Sequence, residues 1–257
     1  MKIHIYMTVC CINNWESVMS HIYKTLKNSD LYHKINSIRC CIHAKDSNYK
    51  NHDFFKDSKV EIMKIFDKNL GNVFEKYTLD KLRKDSMKED FYVLYLHSKG
   101  VSDRHQNKSD IKKNIEGWVD YLLYFNIGKY EYILDKLSHY DAIGVNLNGH
   151  SCKKYSKQYK NIHEFIHTNG GFTGALNTGI WPYHFSGNFW WSKSSYIKQI
   201  CECEPHYPAA EIWVTNGNNG KIGRYLGLFN AHTDFYNIYY DKKKYVDKEF
   251  TIRDVKN

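Results

Sequence analysis

Apolar and polar residues follow two rhythms along this chain, and each change of rhythm marks an element. Residues 3–10 (IHIYMTVC) form an apolar run of strand length. Residues 13–29 then place Trp15, Val18, Met19, Ile22, Tyr23 and Leu26 on one helical face. Asn13 and Glu16 have the N-cap and N3 spacing of a capping box, with asparagine in place of serine or threonine. Residues 36–43 and 60–66 read as the second and third strands, and 72–84 as a helix. Residues 91–96 (FYVLYL) are almost continuously apolar, as in a strand buried on both faces. The polar, charged stretch 103–114 reads as a loop or lid. Helical spacing resumes at Ile115, Trp118, Val119 and Leu122 and again at Tyr130, Ile133, Leu134 and Leu137, interrupted at Gly128. Residues 140–147 are a further strand, 148–180 have weak periodicity, 208–215 suit a short helix, and 221–229 form one more element. Strand–helix–strand alternation predicts an α/β fold: a mostly parallel sheet flanked by helices, with right-handed crossovers.

Composition bounds this picture. The chain has 257 residues, 42% hydrophobic and 25% charged, enough for a full core. Three prolines and no Gly/Ser-rich tract leave no linker, so a single domain over 1–257 is expected. No run approaches a membrane span, and the first residues read as a strand rather than a signal peptide. Seven cysteines, an odd count without a Cys-x-x-Cys pair, favour reduced thiols and a cytoplasmic setting. The formal charge of +9 fits a polyanion or a nucleotide diphosphate. No nucleic-acid motif accompanies it, so nucleic acid is not an expected partner.

Candidate chemistry concentrates in two stretches. Residues 183–196 (YHFSGNFWWSKSSY) set a dense aromatic cluster beside a Ser-Gly-Asn turn. Aromatic faces against a polar rim suit a sugar ring, which has an apolar C–H face and a hydroxyl edge. Gly187 allows close backbone approach or positive φ. Ser192 is placed to cap a helix through Tyr196, Ile197 and Ile200. Side chains alternate along an extended segment, so one of Trp190 and Trp191 is expected in the core and the other in a cleft. In parallel α/β sheets ligands bind beyond the carboxyl ends of the strands. Polar clusters fall there at 8–11, 44–48 and 97–101, and the third (HSKGV) delivers an imidazole, a hydroxyl and an ammonium from a buried strand.

The order of these pieces resembles a glycosyltransferase of the GT-A type, with its Rossmann-like sheet. More narrowly, it is similar to bacterial and viral proteins related to rhamnan-synthesis protein F. The resemblance rests on LYLHSKGV (94–101), Trp118, AIGVNL (142–147) and SGNFWWSKSSYI (186–197), with Glu211 following, and covers roughly 90–215. It implies a hexosyltransferase-like enzyme, with a nucleotide-sugar donor over 1–100 and a glycan or glycoconjugate acceptor over 101–257. Thr8 and Asp46 would face the nucleoside, and His97, Lys99 and Gly100 would meet the diphosphate. Ser186, Gly187, Asn188, Trp190 and Trp191 would line the acceptor site. An inverting transfer needs a carboxylate to take the hydroxyl proton, for which Glu211 is the first candidate and Asp141 the second. Many GT-A enzymes hold Mg²⁺ or Mn²⁺ through Asp-x-Asp, which occurs nowhere in this chain. Lys99 then takes the charge-neutralising role, with His97, Arg104 or His232 as helper.

Two other readings compete. His163-Glu164-x-x-His167 has the spacing of a zinc metalloprotease helix. Against it, Thr173 occupies the third-ligand position of the longer form, and no methionine follows Met87. The missing Asp-x-Asp also allows a carbohydrate- or nucleotide-binding module without turnover.

Overall fold

The structure is a computed structural model and describes residues 1–66, 75–102, 108–149, 182–205, 209–215 and 223–255. Its strands are β1 (Lys2–Cys10), β2 (Ser37–His43), β3 (Val60–Phe66), β4 (Phe91–His97), β5 (Ala142–Gly144), β6 (Leu147–Asn148), β7 (His184–Phe185), β8 (Trp190–Lys193), β9 (Tyr225–Gly227) and β10 (Arg253–Val255). Eight of them make one sheet in the order β3-β2-β1-β4-β8-β5-β9-β10, and β6 pairs with β7 separately. The β1–β2, β2–β3, β1–β4 and β5–β9 pairs are parallel, whereas β8 runs against both β4 and β5, and β10 against β9. The sheet is therefore mixed, with its parallel half where the sequence rhythm is strongest.

The helices are α1 (Trp15–Lys27), α2 (Asp30–Lys34), α3 (Lys76–Ser86), α4 (Ser109–Asn126), α5 (Tyr130–Lys136), α6 (Ser194–Ile197) and α7 (Ala209–Trp213). They cover both faces of the sheet. On one face Ile3, Ile5, Met7 and Val9 of β1 pack with Trp15, Met19, Ile22 and Leu26 of α1 and with the apolar side of α4. On the other, Tyr6, Val93 and Tyr95 pack with Leu79 and Leu82 of α3 and with Trp213 of α7. Two-sided cover explains why β1 and β4 are continuously apolar rather than alternating. Among the described residues no helix is long and apolar enough to cross a membrane, and Cys10, Cys11, Cys40, Cys41, Cys201 and Cys203 are free thiols.

The strand order positions the site. From β1 the chain steps outward to β2 and β3, then returns to lay β4 on the other side of β1. The carboxyl ends of β1 and β4 thus flank a topological switch point, where open α/β sheets take their ligands.

Several local expectations are corrected. α4 already begins at Ser109, so residues 109–114 are helical rather than a lid, while 103–107 lie outside the described residues. The strand expected over 140–147 is broken, because Asn146 takes φ 49° and separates β5 from β6. Asn13 takes φ 53° and its amide donates to the Val101 carbonyl at 2.7 Å, so α1 starts after Asn14 without the capping box. Ser192 lies within β8, its hydroxyl donating to the Asp141 carbonyl, and α6 starts two residues later.

Candidate active site

The switch point is built by the exit of β4. Ser98 N–H donates to the Thr8 carbonyl at 3.0 Å, and Ser98 Oγ accepts from Cys10 N–H at 2.8 Å. These bonds tie the two strand ends together and aim the next residue, Lys99, over the edge of the sheet. Gly100 follows at φ 92°, where an added Cβ would stand 2.6 Å from Ile115 Cγ2. Only glycine fits both that conformation and that contact.

A crevice of about 340 Å³ opens there, between the first turns of α1 and the body of α4. Lys99, Gly100, Asn14, Ser17, His21 and Lys112 line it, with Glu116 and Asp120 on the α4 side. Asp120 is already engaged: His21 Nε2 lies at 2.7 Å and Lys242 Nζ at 3.0 Å. Burial alone would raise its pKa, but those two partners outweigh it and hold the carboxyl below the usual range. Lys99 Nζ lies 3.7 Å over the Trp118 ring, a close cation–π contact. Burial lowers the Lys99 pKa below that of an ordinary lysine, and the charges of Glu211 and Glu75 only partly oppose this.

On the other side of Lys99, His97 meets the Ser-Gly-Asn turn. Asn188 N–H donates to the Phe185 carbonyl at 2.8 Å and closes the turn, with Gly187 at φ 98°. A Cβ on Gly187 would come within 2.7 Å of Leu122 and 3.2 Å of Trp118 Nε1. His97 Nε2 stands 3.1 Å from the Gly187 carbonyl, which can only accept, so Nε2 carries the hydrogen. Its Nδ1 faces Glu75 Oε1 at 3.8 Å. Glu75 Oε2 accepts from Tyr95 OH and from Asn188 Nδ2, both at 2.7 Å. Glu75 therefore locks the turn to the start of α3. Sequence reasoning missed it, and a lone glutamate before a helix signal carries little to find it by.

The remaining expected site residues fall in three groups. Glu211 is half-buried on α7, and its charge partly opposes the burial that lowers the Lys99 and His184 pKa values. Ser186 is half-buried and its Oγ accepts from Asn148 Nδ2 at 2.8 Å. Asp46 is exposed after β2, where its Oδ1 accepts from Asn48 N–H at 2.9 Å; together with burial, its charge raises the nearby Cys11 thiol to about 12.

Four residues do not stand where the sequence suggested. Thr8 is buried on the α3 face, its Oγ1 2.7 Å from Thr78 Oγ1 and 3.2 Å from Tyr95 OH, so it faces core rather than nucleoside. Asp141 precedes β5 at the opposite edge of the sheet, where it accepts from Arg224 N–H and pairs with Lys193 at 3.4 Å. It is too far around the molecule to serve Lys99. Trp190 and Trp191 do point to opposite faces, but both are fully buried. Trp190 stacks on Tyr95 at 5.0 Å and donates to Asn188 Oδ1 at 2.8 Å, and Trp191 donates to the Asn126 carbonyl at 2.8 Å. Strand β8 lies between β4 and β5 under helices on both sides, so neither indole reaches a cleft.

His163, Glu164, His167, Thr173 and Arg104 lie outside the described residues. Among the described residues, no group of three His, Cys, Asp or Glu side chains could hold a metal ion. Glu75 Oε2 is occupied by an amide and a phenol donor, and the Lys99 ammonium lies over the Trp118 ring. No protein-family model matches the chain, and no curated protein matches it significantly.

Proposed function

We propose that this chain is a GT-A type glycosyltransferase that moves a sugar from a nucleotide-sugar donor to a hydroxyl acceptor without a metal bound by Asp-x-Asp. The observation that carries the reading is Lys99. It is an ammonium delivered by a buried strand to the β1/β4 switch point, lining an open crevice, with two carboxylates in its field.

A nucleoside diphosphate leaving group gains negative charge as the glycosidic bond breaks, and a fixed cation lowers that barrier. At roughly 4 Å and an effective dielectric near 20, one charge pair is worth about 4 kcal/mol before desolvation. Lys99 supplies one positive charge at the edge, and the first N–H groups of α1 and Lys112 add to the field on the crevice side. Glu211, whose charge reaches Lys99, is the carboxylate we assign to the acceptor proton; Asp141 stands at the far edge and Glu75 holds Tyr95 and Asn188. His97, fixed to the Gly187 carbonyl, positions the turn against this cluster.

The test is calorimetry with a panel of nucleotide sugars, in EDTA and in Mn²⁺, on the full chain and on Lys99→Ala. At least one donor should bind in EDTA, and the alanine variant should lose roughly 2–3 kcal/mol, the scale of a charge-assisted contact. Binding abolished by EDTA and untouched by Lys99→Ala would sink the lysine reading, and no binding at all would sink the donor reading.

A further inference from the structure

Strand β3 ends the sheet on its parallel side, and among the described residues no strand pairs with its outer edge. Glu61, Ile62, Lys64 and Ile65 are exposed along it, Ile62 at 39% and Ile65 at 50%. Among the described residues, no backbone group of 61–65 is hydrogen-bonded outside the ladder to β2. Such an edge offers a row of N–H and C=O groups to another strand. Seven residues without a proline make it long enough to template one.

A bulge and a lysine commonly protect an edge, and β3 has both, but here they make it complementary to itself. Cys40 pairs with Ile62 and Cys41 with Lys64, which leaves Met63 as the extra residue. In a regular strand Glu61 and Lys64, three apart, would point to opposite faces. The bulge brings them onto the same face, opposite Arg39 and Cys41. That face is the α3 side: Glu61 accepts from Arg39 Nε at 3.2 Å, and Lys64 stands 5.1 Å over Phe66, which stacks on Tyr77. A second copy can be laid antiparallel on this edge about a two-fold axis perpendicular to the sheet at Ile62. In the register that β2 sets, each Glu61 then faces Lys64 of the other copy, Ile62 meets its counterpart, and Val60 meets Ile65. Opposite charges across an antiparallel pair stabilise it, and like charges destabilise it. Moving the axis one position, to Glu61 or to Lys64, sets like charges against each other, so one register is selected.

We infer that two copies of this chain join through β3, antiparallel about a two-fold axis at Ile62, with two Glu61–Lys64 ion pairs across the seam. The two eight-stranded sheets become one. A seam of one strand buries less than the roughly 1,200 Å² of lasting interfaces, so the dimer is weak and depends on concentration. The formal charge of +9 on each copy opposes it, but at 0.15 M salt that repulsion is screened beyond about 8 Å. The β1/β4 crevice lies inward of β2 and stays open, so this pairing does not rest on the glycosyltransferase reading.

The experiment is sedimentation velocity on the full chain from about 1 to about 300 µM in 0.15 M salt, where the average mass should rise toward that of a dimer. Glu61→Lys sets lysine against lysine at both contacts, and Lys64→Glu sets glutamate against glutamate. Each should raise the dimer dissociation constant at least about tenfold. Mixing the two variants puts opposite charges back at both contacts, and the mixture should associate as the wild type does. Thermal melting followed by circular dichroism checks that each chain folds. If Glu61→Lys, which loses the Arg39 contact, does not fold, Lys64→Glu is compared with Lys64→Arg, which should keep the dimer. A wild-type chain that stays monomeric at about 300 µM overturns the inference, whether the edge is then bare or takes a strand from another protein. A dimer indifferent to Lys64→Glu uses another surface and overturns it too, as does a mixture of the folded variants that remains monomeric.

Discussion

The Lys99 ammonium lies 3.7 Å from the centroid of the Trp118 ring, and this pair is the wall between two cavities. Lys99 lines the crevice at the switch point, and Trp118 lines a second cavity, beyond β5 and β9. The indole fixes the cation without neutralising it, which an ion pair would do. A cation–π contact is worth about 0.5–2 kcal/mol, enough to select one rotamer of a flexible side chain.

The same burial makes Lys99 the titrating group for donor binding. Its pKa lies below the ordinary 10.5 because burial disfavours the charged form. A diphosphate binds the ammonium and not the amine, so affinity should fall as pH rises through that lowered value. The fall should come at lower pH than for an exposed lysine. Lys99→Arg should bind more weakly at pH 7 but keep a flat profile, since the guanidinium stays charged and its planar fork replaces a point charge poorly. Donor affinity measured calorimetrically from pH 7 to pH 10 checks this. A flat wild-type profile would remove Lys99 from the donor contact.

Glu211→Gln separates binding from chemistry. If Glu211 takes the acceptor proton, the amide should bind donor within about twofold of wild type and slow transfer by at least about 100-fold. Asp141→Asn should leave transfer rate nearly unchanged, because Asp141 is tied to Lys193 and Arg224 at the far edge. Turnover can be followed as release of the nucleoside diphosphate. Equal, near-normal rates in both variants would return the proton to the substrate itself.

Trp190 and Trp191 should behave alike, as two core residues on opposite faces of one strand. Each alanine variant should cost about 3–5 kcal/mol in denaturant unfolding. Trp190→Phe is the milder probe, since it keeps an aromatic ring beside Tyr95 while losing the bond to Asn188 Oδ1 and part of the indole's volume. That variant should cost about 2–3 kcal/mol and loosen the 185–188 turn, visible as faster amide exchange at Asn188. A Trp190→Phe chain with wild-type stability and exchange would show the indole N–H to be dispensable.

How far the sequence reaches can be seen in β8 and α3. Alternation placed the two tryptophans on opposite faces, because side-chain direction is a local property of extended backbone. It could not show that β8 is an interior strand, since that depends on β4 and β5 closing on it from distant parts of the chain. The parallel half was legible for the reason that continuous apolar runs need cover on both faces, and β1, β2, β3 and β4 fall within two residues of the expected bounds. Lys99 was legible as the first cation after such a run. Glu75 was not, because its partner Asn188 is 113 residues away. The bulge at Met63 is likewise invisible to pattern, being defined by how β3 pairs with β2.

Acid stability isolates His4, which lies in the first strand away from both cavities. It is buried, with Nδ1 2.8 Å from Ser37 Oγ and Nε2 3.7 Å from Glu89. Burial, then the Arg39 charge, lowers its pKa from 6.5 to about 4, with Glu89 only partly opposing. The unfolded chain therefore accepts a proton at a pH where the folded chain refuses it. Above pH 6.5 His4 is neutral in both states and its contribution is intact. Between 6.5 and about 4 the unfolded state gains by protonation and stability falls, and below about 4 the loss levels off at roughly 3 kcal/mol. Other groups titrate over the same range, so the comparison is with His4→Gln, whose amide can still reach Ser37. Urea unfolding at about pH 7 and about pH 4.5 should show the wild type losing roughly 2–3 kcal/mol more than the glutamine variant. Equal losses in the two chains would mean that His4 is protonated in the folded state, with Glu89 as its counter-ion.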